Sequence, residues 1–229
     1  MKDIIIIGAS GHASVVLDCI EKENKYRVVG FVDSFKSKRQ LFFGLPILGT
    51  EDDLPKIMSK NEIFGGIIAI GDNWSRKVIA DKIYSIHPNF NYINVIHPNT
   101  TIGKNVTLGK GTVLMPGVII NSSSVVGEHC ILNTNSCLEH DSSMGDFSSI
   151  SPNVCTGGNI HIGTLSAICL GATIIEGITI GDSVVVGAGS LVLNNISDRV
   201  VAFGSPAKVV RKRKENDSYL GRSACIRMN

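Results

Sequence analysis

The sequence predicts a small parallel α/β domain followed by a parallel β-helix built from six-residue repeats. Three observations carry this reading. Aliphatic residues recur every sixth position from Ile102 to Val192. Strand-like and helix-like patterns alternate through the first hundred residues. The chain also has 24 glycines against 7 prolines, a balance that favours tight backbone turns over a disordered tail.

The repeat is the strongest of the three. Stepping by six gives Ile102, Leu108, Leu114, Ile120, Val126, Leu132, Leu138, Met144, Ile150, Thr156, Ile162, Ile168, Ile174, Ile180, Val186 and Val192; only Thr156 is neither aliphatic nor Met. The next position is often glycine, as at Gly103, Gly109, Gly127, Gly145, Gly163, Gly181 and Gly187. Four residues after each aliphatic comes a small or β-branched residue, such as Thr112, Ser124, Ser142 or Ser166. A helical period of 3.6 would smear such a pattern around its circumference, and a hairpin sheet needs longer alternating runs. Coils of three short strands account for it directly. The aliphatic residue of each side points inward, glycine takes the turn, and stacked coils make one continuous core.

In the first hundred residues, Ile4 to Ile7 read as a buried strand. It leads through Gly8-Ala9-Ser10-Gly11-His12 into an amphipathic stretch with Val15, Val16, Cys19 and Ile20. Arg27 to Val32 reads as a strand ending on Asp33. Thr50 to Ser59 reads as a helix, with Thr50 or an early acid as its cap. Gly66 to Ile70, Ser75 to Ile86 and Tyr92 to Ile96 read as strand, helix and strand. This βαβαβαβ alternation predicts a parallel sheet covered by helices, whose ligands sit at the carboxyl ends of the strands. Three polar clusters fall there: Ser10-Gly11-His12, Asp33-Ser34 and Gly71-Asp72-Asn73. Gly8 and Gly11 allow a tight turn into a helix N-terminus, whose N–H groups favour phosphate. The full dinucleotide fingerprint G-x-G-x-x-G is missing, since Ser10 and Ala13 stand at its glycine positions. Asp33 either binds a ribose or base or solvates a strand end.

Composition excludes several classes. A net charge of +2 is too small to argue for nucleic acid or an anionic membrane. No apolar run is long enough to span a membrane and the apolar N-terminal run stops at Gly8, so neither a membrane helix nor a signal peptide is expected, and the cytoplasm is the expected location. Cys19, Cys130, Cys137, Cys155, Cys169 and Cys225 form no C-x-x-C pair, which fits small buried thiols better than disulfides or a zinc site. His129, His140 and His161 make no H-x-x-x-x-H pair and fall at different positions of the repeat, so no metal is expected. The chain thus divides into residues 1–97, the Rossmann-like α/β domain; 98–208, the β-helix; and 209–229, a basic tail around Arg211-Lys212-Arg213-Lys214, read as solvated and mobile.

The order and spacing of five short motifs resemble one branch of the hexapeptide-repeat acyltransferases. The motifs are Gly8-Ala9-Ser10-Gly11-His12, Ala69-Ile70-Gly71-Asp72-Asn73, Ile131-Leu132-Asn133-Thr134, Glu139-His140-Asp141 and Gly204-Ser205-Pro206-Ala207-Lys208. The branch comprises sugar acetyltransferases with a Rossmann-like N-terminal domain, including the bacillosamine-pathway N-acetyltransferase and sialic acid O-acetyltransferases. The resemblance implies a left-handed β-helix, a homotrimer, acetyl-CoA as co-substrate and a role in surface polysaccharide or glycoprotein synthesis. It places the nucleotide of the sugar at Ser10, Gly11, His12, Asp33, Ser34 and Gly71. It makes His140 the general base, oriented by Asp141 where many relatives have glutamate. It puts coenzyme A between neighbouring β-helices, at Ser149, Leu170 and Ala188; the bacillosamine-pathway enzyme has histidine and glycine at the first and last of these.

The chemistry needs such a set. An amine or hydroxyl attacking a thioester must lose a proton, and histidine takes one near neutral pH. Direct transfer in a ternary complex needs no covalent nucleophile. Backbone N–H groups at Gly157-Gly158, where Thr156 breaks the repeat, are placed to stabilise an oxyanion. The reading is an acetyl-CoA-dependent N-acetyltransferase acting on the 4-amino group of a UDP- or dTDP-linked 4-amino-4,6-dideoxy sugar. The alternatives are O-acetylation of a sialic-acid-like sugar and a non-catalytic trimeric scaffold, which would have no need of His140.

Overall fold

The computed structural model describes residues 1–214 and 216–220, the side chains of 60 and 61 excepted. The chain divides into two compact units, one of residues 1–71 and 75–98, the other of residues 72–74 and from 99 onward.

The first unit grows from Ile4-Ile5-Ile6-Ile7, all fully buried, in strand β1 (Lys2–Ile7). Helix α1 (Gly11–Glu23) lays Ala13, Val16, Leu17 and Ile20 inward and stops at Asn24, whose left-handed backbone returns its N–H to the Ile20 carbonyl. Strand β2 (Tyr26–Val32) pairs parallel with β1. The expected alternation is then interrupted by a hairpin, β3 (Leu41–Phe42) and β4 (Leu45–Gly49), turned at Phe43 and Gly44, which both have positive φ. The expected helix at Thr50 to Ser59 begins instead as a 3-10 turn, Glu51–Asp53, and continues as α2 (Leu54–Asn61). Strand β5 (Gly65–Ile68) and helix α3 (Asn73–Ile86) complete the series, and a short β6 (Val95–Ile96) follows outside this sheet. The expected strand at Tyr92 is reduced there to a single bridge with Gly66. The sheet order is β3-β4-β2-β1-β5, and the carboxyl ends of β2, β1 and β5 lie side by side, because Ile7 pairs with both Val32 and Ile68.

The second unit is a left-handed parallel β-helix of hexapeptide repeats. Its short strands pair with a constant offset of three hexapeptides, as in Ile102–Ile120–Leu138. The first face stacks Thr101–Ile102, Ile119–Ile120, Cys137–Leu138, Cys155–Thr156, Thr173–Ile174 and Leu191–Val192. The second stacks Thr107–Leu108 through Thr179–Ile180. The third stacks Val113–Leu114 through Val185–Val186, then Val200–Gly204. From Leu114 to Val192 every sixth side chain is at most 3% exposed, whereas Ile102 in the first coil remains 41% exposed. Each buried Ile or Leu contributes about 1.5–3 kcal/mol of apolar burial.

The glycines do a different job from the expected one. Positive φ falls three residues after each inward residue from Ile102 to Val186, at positions held by Asn105, His129, Asn135, Asp141, Phe147, Asn153 and Leu165 as well as by glycine. The glycine that directly follows the inward residue is needed for close approach: a Cβ on Gly109 would sit 2.4 Å from the Glu128 backbone nitrogen in the next coil. The buried hydroxyls of the repeat bind across coils. Thr112 Oγ1 donates to the Gly127 carbonyl and accepts from the Cys130 N–H; Ser166 Oγ does the same with Gly181 and Val184.

The segment read as a solvated tail is built into this unit. Residues 207–212 form a strand antiparallel to Val200–Gly204. Arg213 is buried; one guanidinium nitrogen donates to the Ser183 carbonyl at 3.2 Å and another to the Asp217 carbonyl. Residues 221–229, with Cys225, lie outside the described residues. No disulfide joins the described cysteines, and Cys155 is exposed rather than buried.

Candidate active site

In the first unit the carboxyl ends of β1, β2 and β5 bring Ser10, Gly11, Asp33, Ser34 and Gly71 to one edge of the sheet. Gly8 turns out of β1 with φ +96°, its N–H bonded to the Val32 carbonyl; a Cβ there would lie 3.0 Å from Ile70 Cγ1. Asp33 is buried and works on the backbone, its carboxylate accepting the Ala9 and Phe35 N–H groups, both at 2.8 Å. It therefore locks the β1–α1 turn. Ser34 donates to the Glu51 carboxylate. Ser10 and Gly11 are exposed at the start of α1, and a Cβ on Gly11 would meet nothing within 4 Å. His12 sits behind them with Nε2 buried and unpartnered. Burial first, and the Arg76 cation second, push its pKa down to about 4, so the ring is neutral. Arg76, fully buried, donates to the Ile70 and Gly71 carbonyls at 2.9 and 3.0 Å and so fixes the end of β5.

In the second unit His140 stands on the corner that follows the first face. Its Nδ1 is 2.8 Å from Asp141 Oδ2, and both side chains are more than half exposed. Asp141 occupies the positive-φ position of that turn, which a short acid tolerates, and its N–H is held by the Ser122 carbonyl. The carboxylate orients the imidazole and its hydrogen bond raises the His140 pKa above the ordinary value. With the proton on Nδ1 facing Asp141, Nε2 is left as the acceptor. The ring lies over Gly158, where a Cβ would come within 2.6 Å of both Nε2 and Cε1; any other residue would displace it.

Leu170 and Ala188 share a different corner, the one after the third face. Leu170 is 58% exposed, and neighbouring Gly171 and Gly189 leave open space beside them. That apolar, unobstructed strip suits a pantetheine arm. Ser149 does not belong to it: it lies on the flat third face, 4% exposed, its Oγ 3.1 Å from the Tyr219 hydroxyl. Within one chain, then, the histidine corner and the Leu170 corner are separate edges of the β-helix. The remaining β-helix histidines are engaged locally. His129 stacks on Phe147 with ring centroids 4.9 Å apart, and His161 Nδ1 is 2.7 Å from Ser143 Oγ. Among the described residues no group of three or more His, Cys, Asp or Glu is placed to hold a metal ion.

Residues to which the sequence assigned no role surround His140. Glu139 turns its carboxylate to Asn121 Nδ2 at 2.7 Å. The backbone of Glu139 is held on both sides by buried hydroxyls, its N–H by Thr156 Oγ1 and its carbonyl by Ser124 Oγ. Thr156 was visible as the one break in the repeat, but its partner lies in the preceding coil and shows only in the fold.

Known proteins match both units of the chain. The PglD N-terminal domain family matches residues 3–83, and the bacterial transferase hexapeptide family (six repeats) matches residues 99–134. The structure of GDP-perosamine N-acetyltransferase from Caulobacter crescentus, in complex with CoA and GDP-perosamine, is 31% identical with a TM-score of 0.86, over 93% of this chain and 98% of that one. The chain belongs to the hexapeptide-repeat sugar acetyltransferases with a PglD-type N-terminal domain. Membership makes this acetyltransferase an enzyme of acyl transfer with acetyl-CoA as co-substrate. The acetyltransferase domain of PglB from Neisseria gonorrhoeae is 29% identical with a TM-score of 0.81, over 92% of this chain and all of that one. Galactoside O-acetyltransferase of Lactococcus lactis is 54% identical over 48 residues, 21% of this chain and 22% of that protein, and the chain spans less than a third of the curated relatives it matches. Among the described residues no helix is long and apolar enough to cross a membrane.

Proposed function

We propose that this acetyltransferase moves the acetyl group of acetyl-CoA to the 4-amino group of a nucleotide-linked 4-amino-4,6-dideoxy sugar. The observation that carries the proposal is the His140–Asp141 pair on an open corner, with its ring over Gly158. The amine nitrogen attacks the thioester carbonyl, His140 Nε2 takes the proton the nitrogen sheds, and the C–S bond breaks to release coenzyme A thiolate, which is protonated. The nucleotide docks at Ser10, Gly11, His12, Asp33, Ser34 and Gly71. Asp33 acts there through the turn it holds, and neutral His12 as a hydrogen-bonding partner rather than a charge. Leu170 and Ala188 line the coenzyme A path. Because they and His140 lie on separate edges of one chain, the complete site is shared between copies in a homotrimer. A cytoplasmic location follows from both substrates.

The test is release of free thiol from acetyl-CoA with UDP-, dTDP- and GDP-linked 4-amino-4,6-dideoxy sugars, alongside free and CMP-linked sialic acid. Turnover on an amino sugar should fall about 100-fold or more in His140→Ala. Undiminished turnover removes His140 as the base. Turnover on sialic acid alone replaces N-acetylation with O-acetylation, and silence on the whole panel favours a scaffold.

A further inference from the structure

On the first face of the β-helix the peptide that follows each inward residue bonds to the inward residue's counterpart one coil later. Gly103 N–H donates to the Ile120 carbonyl, Asn121 to Leu138, Gly157 to Ile174 and Ile175 to Val192, at 2.7 to 3.2 Å. The peptide of Glu139 breaks this rule. Its N–H donates to the side-chain hydroxyl of Thr156 at 3.1 Å. Strand pairing is shortened at the same rung: only Cys137 and Cys155 pair, while the rungs on either side pair both residues. The exception therefore falls one residue before His140 and nowhere else on that face.

Thr156 is 3% exposed and stacked between Leu138 and Ile174, a place that every other coil fills with an aliphatic or Met side chain. Valine has nearly the same shape and lacks a hydroxyl to satisfy, so packing alone does not call for threonine. Ser124 Oγ holds the next peptide, Glu139–His140, donating to the Glu139 carbonyl at 2.9 Å. The two hydroxyls thus hold the peptides on either side of the Glu139 Cα, from coils on opposite sides of it. A departure from an otherwise regular pattern marks a constraint other than stability.

We infer that Thr156 is a positioning residue for acetyl transfer: its hydroxyl draws the Glu139 peptide off the regular ladder and so sets His140 where its ring lies over Gly158 and against Asp141. This rests on the reading of His140 as the base. Without the hydroxyl the Glu139 N–H returns to the carbonyl of residue 156, as on the other rungs, and His140 moves with it.

The experiment compares full-length wild type with Thr156→Val, Thr156→Ser and His140→Asn. The first readout needs no sugar. The His140 ring resonance, identified by its loss in His140→Asn, is titrated by NMR. In Thr156→Val its midpoint should move toward that of an ordinary histidine as the Asp141 contact loosens, and in Thr156→Ser it should stay at the wild-type value. The second readout is thiol release with acetyl-CoA and GDP-perosamine, together with any other panel sugar the wild type turns over. Thr156→Val should lower kcat about 10- to 100-fold, leave KM for acetyl-CoA within about twofold, and melt no earlier than wild type; Thr156→Ser should restore turnover. A Thr156→Val protein with an unmoved His140 titration overturns the inference, as does one that loses turnover only by melting early. Full turnover in His140→Asn defeats the base reading instead, and the titration still decides the position.

Discussion

Adding one methyl group at Gly11 separates what the fold needs from what the ligand needs. Gly11 opens α1 with an ordinary φ, and a Cβ there meets no atom within 4 Å. Nothing in the protein requires the glycine, so Gly11→Ala should stabilise the first unit by about 0.4–1 kcal/mol by restricting the unfolded chain. If the nucleotide sugar approaches this helix N-terminus, the methyl intrudes on a charge-assisted contact worth about 1.5–3 kcal/mol, which is roughly 10- to 150-fold in KM for the sugar. Gly8→Ala is the contrasting control. Its φ of +96° and a Cβ only 3.1 Å from the Ala69 carbonyl predict a loss of stability instead. Urea unfolding and thiol-release kinetics on both variants decide the matter. A Gly11→Ala enzyme with an unchanged KM would show that no ligand fills the space in front of α1. One that unfolds more easily would show that the space is not open.

As the proposed base His140 must be neutral, and its pKa is raised by Asp141, so kcat/KM should fall on the acid side at a pH above that of an ordinary histidine. Asp141→Asn should move that limb to lower pH while also lowering kcat, because the ring loses its orienting partner; an unmoved limb would detach the pair from the chemistry. Ile174→Asp places an unpaired charge where the side chain is 1% exposed, and should leave no folded protein by circular dichroism; a stable variant would contradict the inward register. His12 binds its proton only near pH 4 when folded, whereas the unfolded chain binds it near 6.5, so stability should decline as pH falls through that window by up to roughly 3 kcal/mol. Urea midpoints for wild type and His12→Gln at pH 4.5 and 7.5 should differ in that slope, and parallel slopes would mean that His12 takes up its proton in the native state.

The inward stack was legible because burial imposes one chemical demand at a fixed interval, and a demand repeated that often shows through any single exception. The corners were not. Left-handed backbone there is met by Asn, Asp, His, Phe and Leu as readily as by glycine, so no residue type announces the turn. The glycines that did stand out, such as Gly109, answer to the coil stacked on them, a neighbour far off in the chain. The Leu41 to Gly49 hairpin escaped notice because its turn, Phe43-Gly44, carries no Asn or Asp and its strands are too short to alternate. Arg213 was hidden by its company: a run of four basic residues reads as solvent-facing until the Ser183 carbonyl appears beside one of them. For the candidate site, the proposed histidine and its acid were singled out from six histidines by resemblance. The hydroxyls holding the Glu139 backbone could not be, since hydrogen bonds across coils leave no mark between sequence neighbours.

The constant offset of three hexapeptides makes the β-helix a device that counts. Chain length can change without disturbing the function of distant residues only in whole turns of the screw. Gaining or losing one complete coil between His140 and Leu170 would lengthen or shorten the stack yet leave each on its own edge. Gaining a single hexapeptide would carry every later residue one edge around, moving Leu170 and Ala188 together to another edge and giving their place to residues that now face elsewhere. Evolution of this protein's length is therefore quantised, and a natural variant longer or shorter by one hexapeptide in this stretch would present different residues at the edge proposed for the acyl donor.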